Sequence, residues 1–170
     1  MAVQSVELML GEATDSAVRT QWESLAAAGL PSQARHPGPT NAPHVTLAVR
    51  EQIPAELDAP LAAAATLPVE VTLGGLLVFA RRRCILARAV VPSVLLLDLH
   101  ARVHDVLVDC GPSAAHLSPG AWTPPVTLAR NLTPGQLATA VALLRDGTDV
   151  GGSGIAVRRW DATARRAWVL

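Results

Sequence analysis

A six-residue segment occurs twice in the chain, and its second copy has lost a histidine. Residues 43–48 read PHVTLA, and residues 124–129, 81 positions later, read PPVTLA. An imidazole can take up and release protons near neutral pH, whereas proline can do neither. A cleft built from the two copies would therefore have pseudo-two-fold symmetry, with His44 on one side and Pro125 in the corresponding place on the other.

The first copy predicts a strand over residues 44–49 that aims two polar groups at one point. Alternate residues of a strand face the same side, so His44, Thr46 and Ala48 are expected on one face. The second copy predicts a strand over residues 126–130 that carries Thr127. The spacing therefore places a histidine and two hydroxyl groups beside a shared groove.

The elements around the two copies are expected to repeat as well. Hydrophobic alternation predicts strands, 3.6-residue periodicity predicts helices, and Ser, Thr, Asp, Gly and Pro mark their ends. The first half reads as a strand (3–9), a helix from Thr14 or Asp15 to Gly29, the motif strand, a helix (54–66) and a strand (69–80). The second half reads as a strand (84–91), a helix from Ser93 to about 109, the motif strand, a helix from Thr133 to about 146, and two strands (154–160 and 164–170).

This order predicts an α+β fold with two lobes. We expect two pseudosymmetric antiparallel sheets with outer helices and a central groove that is lined by the motif strands. Residues 1–170 are expected to form a single domain with pseudo-repeats at about 1–80 and 81–170, and the terminal strands can be exchanged between the lobes.

Composition limits the classes of function. The chain is 50% hydrophobic with a formal net charge of +0, so tight non-specific binding to long nucleic acid is not expected. Its basic residues are all arginine, as in a GC-rich bacterial genome, and Cys84 and Cys110 lack the spacing of a redox or metal motif. The apolar N-terminal run is too short to span a membrane and is expected to be a strand, which favours a soluble, cytoplasmic protein.

The two motif copies resemble the two-histidine (2H) phosphoesterase superfamily. That superfamily includes the 2′-5′ RNA ligase-like proteins and the 2′,3′-cyclic nucleotide phosphodiesterases, and it carries two His-x-Thr/Ser motifs in pseudosymmetric lobes. Residues 43–48 match the first motif closely. Residues 123–130, TPPVTLAR, match the surroundings of the second, including the trailing Arg130, but Pro125 stands where its histidine belongs.

The resemblance implies metal-free acid/base chemistry at phosphorus without a cofactor. His44 would be the general acid or base, and Thr46 and Thr127 would donate to phosphate oxygens. The implied substrate is a 2′,3′-cyclic phosphate or a 2′-5′-linked nucleotide or RNA end, bound by a monomer. Pro125 leaves two alternatives open: a degenerate protein that binds nucleotides or RNA ends without catalysis, and a cleft adapted to other small-molecule chemistry.

Further residues are candidates for substrate binding. Regular alternation would turn Arg130 to the face of Val126 and Leu128, so a structural role competes with phosphate binding. Trp122 could stack on a base or pack in the core. His116, on the preceding loop, is the first candidate to replace the missing histidine.

Other histidines and arginines have plainer interpretations. His36 could reach the rim of the groove, and His100 and His104 have the spacing of a two-histidine metal face or of an ordinary helix surface. The arginines at 81–83, 158, 159, 165 and 166 are expected in turns, where they are either solvated or form a rim that attracts an anion.

Overall fold

The computed structural model describes residues 3–36, 38, 40–80 and 82–170. Arg81, predicted at a hairpin turn, lies outside the described residues. The elements are β1 (Gln4–Leu10), α1 (Glu12–Ala27), β2 (His44–Arg50), α2 (Asp58–Ala64), β3 (Val69–Phe79), β4 (Cys84–Val90), α3 (Val94–Val106), β5 (Pro125–Leu132), α4 (Pro134–Leu144), β6 (Val150–Asp161) and β7 (Arg166–Val169). Three-residue 3₁₀ helices lie at Gln33–Arg35, Ala55–Leu57 and Ala115–Leu117.

The strands form one antiparallel sheet in the order β2-β1-β6-β3-β4-β5, with β7 also paired to β6. The α+β class is confirmed, but the strands of the two halves are joined where two separate sheets were expected. The join is the pairing of β3 with β6, in which Val69 lies opposite Gly154 and Leu73 opposite Val150. The last strand of the first half, β3, pairs with β4, and β6 pairs with β1.

The two motif strands, β2 and β5, are the two ends of this strand order, and they contact each other. Helix α1 packs on β5 and β6, and the Trp22 indole Nε1 donates a hydrogen bond of 2.9 Å to the Thr127 carbonyl oxygen. Helix α3 packs on β2 and β3. The sheet therefore curves enough to bring both copies of the motif close together.

Local capping explains where the helices begin. Ser93 accepts from the Leu96 amide at the start of α3, and Thr133 and Gln136 form a reciprocal capping box at the start of α4. Helix α1 begins at Glu12, earlier than predicted, because the Thr14 hydroxyl is buried and donates to the Gly11 carbonyl instead of capping the helix.

The core lies between the helices and the inner face of the sheet. Its fully buried side chains include those of Leu8, Leu25, Leu47, Leu99 and Leu128. Leu47 and Leu128 belong to the two motif strands, so packing of one strand face holds the polar groups on the other face in place.

Candidate active site

The first motif strand contains a β-bulge within the motif. Glu7 of β1 lies opposite Thr46, and Val6 lies opposite Ala48, so Leu47 is an extra residue in β2. A bulge reverses the alternation of the residues that follow it. Ala48, predicted on the face of Thr46, is therefore fully buried on the opposite face.

The second motif strand is bulged at the corresponding residues. Ala87 of β4 lies opposite Thr127, and Leu86 lies opposite Ala129, so Leu128 is the extra residue in β5. The same pattern of burial recurs, since the first five residues of both strands alternate as half-buried, buried, half-buried, buried, buried. The sequence repeat therefore extends to backbone geometry.

The second bulge decides the position of Arg130. Regular alternation predicted that Arg130 would share a face with Val126 and Leu128. The bulge instead places Arg130 on the face of Thr127. Arg130 is exposed and lines a cavity with His44 and Thr46, and its side chain makes no hydrogen bond or ion pair to another described residue. Its guanidinium is free to bind a ligand.

That cavity, here called the His44 cavity, has a volume of about 410 Å³. It lies over β1, β2 and β6, receives Arg130 from β5 and is bordered by residues of the 33–42 loop. Its polar, charged and aromatic lining residues are Ser5, Glu7, Gln33, His36, Thr40, Asn41, His44, Thr46, Arg130, Arg158 and Trp160.

The contacts of His44 determine which of its ring nitrogens can accept a proton. Its Nδ1 lies 2.8 Å from the carbonyl oxygen of Ala42. A carbonyl oxygen only accepts, so Nδ1 carries the hydrogen and donates it. In the neutral ring the lone pair is then on Nε2, which lies 3.5 Å from Glu7 Oε1. His44 therefore presents a proton-accepting nitrogen toward Glu7.

Glu7 is a site residue that the sequence analysis missed. It is only 4% exposed, and its carboxylate accepts from the Ser5 hydroxyl at 2.7 Å and from Arg158 Nε at 2.7 Å. Arg158 also donates to the Thr40 carbonyl at 2.9 Å, which ties β6 to the loop that borders the cavity. The available clue was the alternation of β1, which places polar Ser5 and Glu7 on one face and apolar Val6 and Leu8 on the other.

The structure brings three of the predicted site residues together: His44, Thr46 and Arg130. Thr127 is half-buried on β5, and its side chain is not part of the described lining of the His44 cavity. His36, predicted at the rim, does line the cavity, although it is exposed.

Two predicted substrate-binding residues lie elsewhere. Trp122 is 8% exposed and stacks on the His100 ring, with a centroid separation of 3.9 Å and an interplanar angle of 5°. Packing against a histidine therefore occupies the indole face that a base would need. His116 is exposed on the 3₁₀ helix at Ala115–Leu117, outside the described lining of the cavity.

His100 and His104 are buried beneath β2. They therefore form neither the two-histidine metal face nor the exposed helix surface that their spacing suggested. His104 Nε2 donates to the Leu47 carbonyl at 3.2 Å, and His100 Nε2 donates to the Leu117 carbonyl at 3.0 Å. The pKa of His100 is lowered from 6.5 to about 4, with burial as the largest cause and the electrostatic effect of His104 as the second. Burial is also the main cause that lowers the pKa of His104, and the nearby Arg50 guanidinium adds to it. Among the described residues, no cluster of three or more His, Cys, Asp or Glu side chains could hold a metal ion.

The chain belongs to the 2′-5′ RNA ligase superfamily, whose sequence model matches residues 14–162. The resemblance to two-histidine phosphoesterases is thereby confirmed. No match was found among curated proteins. In the described part of the chain, no helix has the length and apolar character needed to cross a membrane.

Solved structures share the fold at low sequence identity. E. coli LigT complexed with 3′-AMP is 17% identical with a TM-score of 0.59, and the alignment covers 99% of this chain and 95% of LigT. Kluyveromyces marxianus Usb1 with uridine monophosphate is 13% identical with a TM-score of 0.55, and the alignment covers 99% of this chain and 97% of Usb1. A structure described as a phosphoesterase is 17% identical with a TM-score of 0.56 and coverage of 99% and 98%.

Proposed function

We propose that the chain is a two-histidine-type phosphoesterase that hydrolyses a phosphodiester of a nucleotide or RNA end, such as a 2′,3′-cyclic phosphate or a 2′-5′ linkage, without a metal. The observation that carries the proposal is the convergence of His44, Thr46 and Arg130 on one cavity. Similar structures that hold 3′-AMP, ATP and uridine monophosphate support a nucleotide as the ligand. Residues 1–170 act in this proposal as one cytoplasmic, monomeric domain with two pseudo-repeats.

The roles of the residues follow from their chemistry. His44 exchanges a proton through Nε2, because Nδ1 is engaged by the Ala42 carbonyl. The Thr46 hydroxyl donates to a non-bridging phosphate oxygen. Thr127 lies outside the described lining of the cavity, so its proposed role is to donate to a ligand that extends from the cavity toward β5. Arg130 adds a guanidinium, which binds phosphate through two parallel hydrogen bonds.

Hydrolysis of a panel of phosphodiesters tests the proposal. The panel contains 2′,3′-cyclic nucleotides, a 2′-5′-linked dinucleotide and a 4-nitrophenyl ester of a nucleotide. We expect His44→Ala to lower kcat by ~10²-fold or more on any ester that the wild type cleaves, the usual contribution of one acid or base. His116→Ala is the matched control, since it removes an exposed imidazole outside the cavity. Equal rates for the wild type and His44→Ala would exclude His44 from the reaction.

A second candidate function is nucleotide binding without catalysis, and Pro125 is the observation that favours it. Proline at the first residue of β5 cannot transfer a proton, so a reaction that needs an acid and a base lacks one of them. Calorimetry with a nucleoside 3′-phosphate identifies this case. Binding that depends on His44 and Arg130, together with an absence of turnover on the whole panel, would establish a binding protein.

A further inference from the structure

Two hydrogen-bond acceptors face each other inside the His44 cavity. In the form of His44 that can accept a proton from water, Nε2 presents its lone pair, and Glu7 Oε1 lies 3.5 Å away. A carboxylate accepts and does not donate. Both atoms are satisfied together by a molecule that donates two hydrogens between them, and water is the smallest such molecule.

The surroundings of Glu7 keep its carboxylate in this position. Ser5 donates to the same oxygen that faces His44, and Arg158 donates to the other oxygen. Glu7 also lies directly opposite Thr46, the expected phosphate donor. A water held by Glu7 and His44 would therefore lie beside a phosphate bound at Thr46.

The equivalent position in the second half has no such group. Thr127 lies opposite Ala87 where Thr46 lies opposite Glu7, and position 125 holds proline where position 44 holds histidine. Of the charged groups that β5 contributes, Arg130 reaches the cavity, and a guanidinium stabilises negative charge but does not release a proton near neutral pH. The proton-accepting groups are thus gathered on the first half of the molecule.

We infer that Glu7 and His44 together hold and activate the attacking water, and that Arg130 neutralises the leaving oxygen without protonating it. The water oxygen forms a new bond to phosphorus, and its proton passes to His44 Nε2. The bond between phosphorus and the leaving oxygen breaks, and the electron pair stays on that oxygen. This inference rests on the proposed function, but it ranks phosphodiesters with an acidic leaving group above the ribose-linked esters named there and adds nucleotide phosphoanhydrides to the substrate class.

The preferred substrate is therefore a nucleotide phosphodiester or phosphoanhydride whose leaving oxygen is acidic enough to depart as an anion. A phenolate or a phosphate group meets this condition. The ribose oxygen released from a 2′,3′-cyclic phosphate is a strong base and needs a proton as it leaves. The wild type should cleave the first kind of substrate faster than the second.

Two probes with different leaving groups test the inference: a 4-nitrophenyl ester of thymidine 5′-phosphate and cytidine 2′,3′-cyclic phosphate. We expect the wild type to favour the nitrophenyl ester. Pro125→His should raise the rate on the cyclic phosphate by ~10²-fold or more, the contribution of one general acid, and change the rate on the nitrophenyl ester by less than about threefold. Similar gains on both probes would overturn the inference.

The role of Glu7 is tested by removing its charge. Glu7→Gln should lower kcat on the nitrophenyl ester at least ~10-fold, and it should have little further effect in a His44→Ala background because the two groups hold one water. Asp58→Asn is the matched control. It removes the charge that pairs with Arg159, the neighbour of Arg158 on β6, and both residues of this pair lie outside the described lining of the cavity. Equal losses from Glu7→Gln and Asp58→Asn, or additive effects of Glu7→Gln and His44→Ala, would reduce Glu7 to a structural residue.

The remaining outcomes separate this inference from the proposed function. If the wild type cleaves both probes equally fast and His36→Ala abolishes only cyclic-phosphate cleavage, His36 supplies the second proton and the inference fails while the proposed function stands. If Pro125→His cleaves both probes and the wild type cleaves neither, the first half does not act alone, and the inference again fails. If neither protein cleaves either probe or the 2′-5′-linked dinucleotide, the proposed function itself fails.

Discussion

Acid should destabilise this protein, because His100 is buried in its neutral form. Its pKa falls from 6.5 to about 4, with burial as the main cause and the neighbouring His104 as the second. The unfolded chain takes up a proton on this residue near pH 6.5, whereas the folded chain does so only near pH 4. The stability that depends on neutral His100 is therefore fully present above about pH 6.5 and is lost as the pH falls toward about 4.

The size of the effect follows from the two pKa values. At about pH 5 the unfolded state is mostly protonated at His100 and the folded state mostly is not, which costs about 2 kcal/mol relative to about pH 7.5. His104 contributes with the same sign, since its pKa is also lowered. Protonation of His104 would in addition place a cation beside Arg50, whose Nη2 lies 3.4 Å from His104 Nδ1.

Urea unfolding of the wild type and His100→Gln at about pH 7.5 and 5 measures this contribution. Glutamine keeps an N–H donor for the Leu117 carbonyl but does not titrate. The variant loses the stack on Trp122 and is less stable at both pH values, so the informative quantity is the change with pH. We expect that change to be smaller in His100→Gln by about 2 kcal/mol. Parallel losses in the two proteins would show that His100 does not remain neutral in the folded state.

Three further substitutions have defined outcomes. Thr46→Val removes the hydroxyl that faces the His44 cavity and should weaken the binding of a nucleoside 3′-phosphate by ~10-fold in calorimetry, the value of one hydrogen bond to a charged group, with no loss if Thr46 is only structural. Gly154→Ala should destabilise the fold by about 1–3 kcal/mol in urea unfolding, because a Cβ atom would lie 2.6 Å from Leu8 Cδ2. Gly151→Ala on the same strand is its control, with nothing within 4 Å of the added atom, and equal losses would refute the packing argument. Thr133→Ala should cost about 1 kcal/mol by the same assay through loss of the capping box, and an unchanged midpoint would contradict that role.

Local patterns in the sequence were enough to predict most elements and to place His44 and Thr46 on one face of a strand. Alternation and caps gave the order of strands and helices, and the repeated motif directed attention to His44 and Thr46. Both lie in the first strand segment, before any irregularity of the backbone. For that reason simple alternation placed them correctly on one face.

The position of Arg130 could not be predicted in the same way. The bulge in β5 depends on how that strand pairs with β4, and neither Gly nor Pro marks it at Leu128. The single sheet depends on the pairing of β3 with β6, which are distant in sequence. Both features arise from tertiary contacts, and local sequence propensity does not predict them.

Glu7 and His100 illustrate a different limit. A single Glu among apolar residues of a strand is compatible with a solvent-exposed face and with a buried ion pair. The contact with Arg158 of β6 shows that Glu7 belongs to a buried ion pair. Histidines four residues apart on a helix fit a metal face, a surface or a buried stack. The burial of His100 is decided by Trp122, which a distant loop brings against it.

A crystal structure with a bound nucleoside 3′-phosphate tests the central claim most directly, which is that one cavity combines His44 and Thr46 of β2 with Arg130 of β5 to hold a phosphate. The account predicts phosphate oxygens within hydrogen-bond distance, about 2.7–3.2 Å, of Thr46 Oγ1, the Arg130 guanidinium and the Nε2–H of protonated His44, the form that has taken up a proton. A phosphate bound elsewhere on the molecule, with these three side chains left without contact to it, would contradict the account.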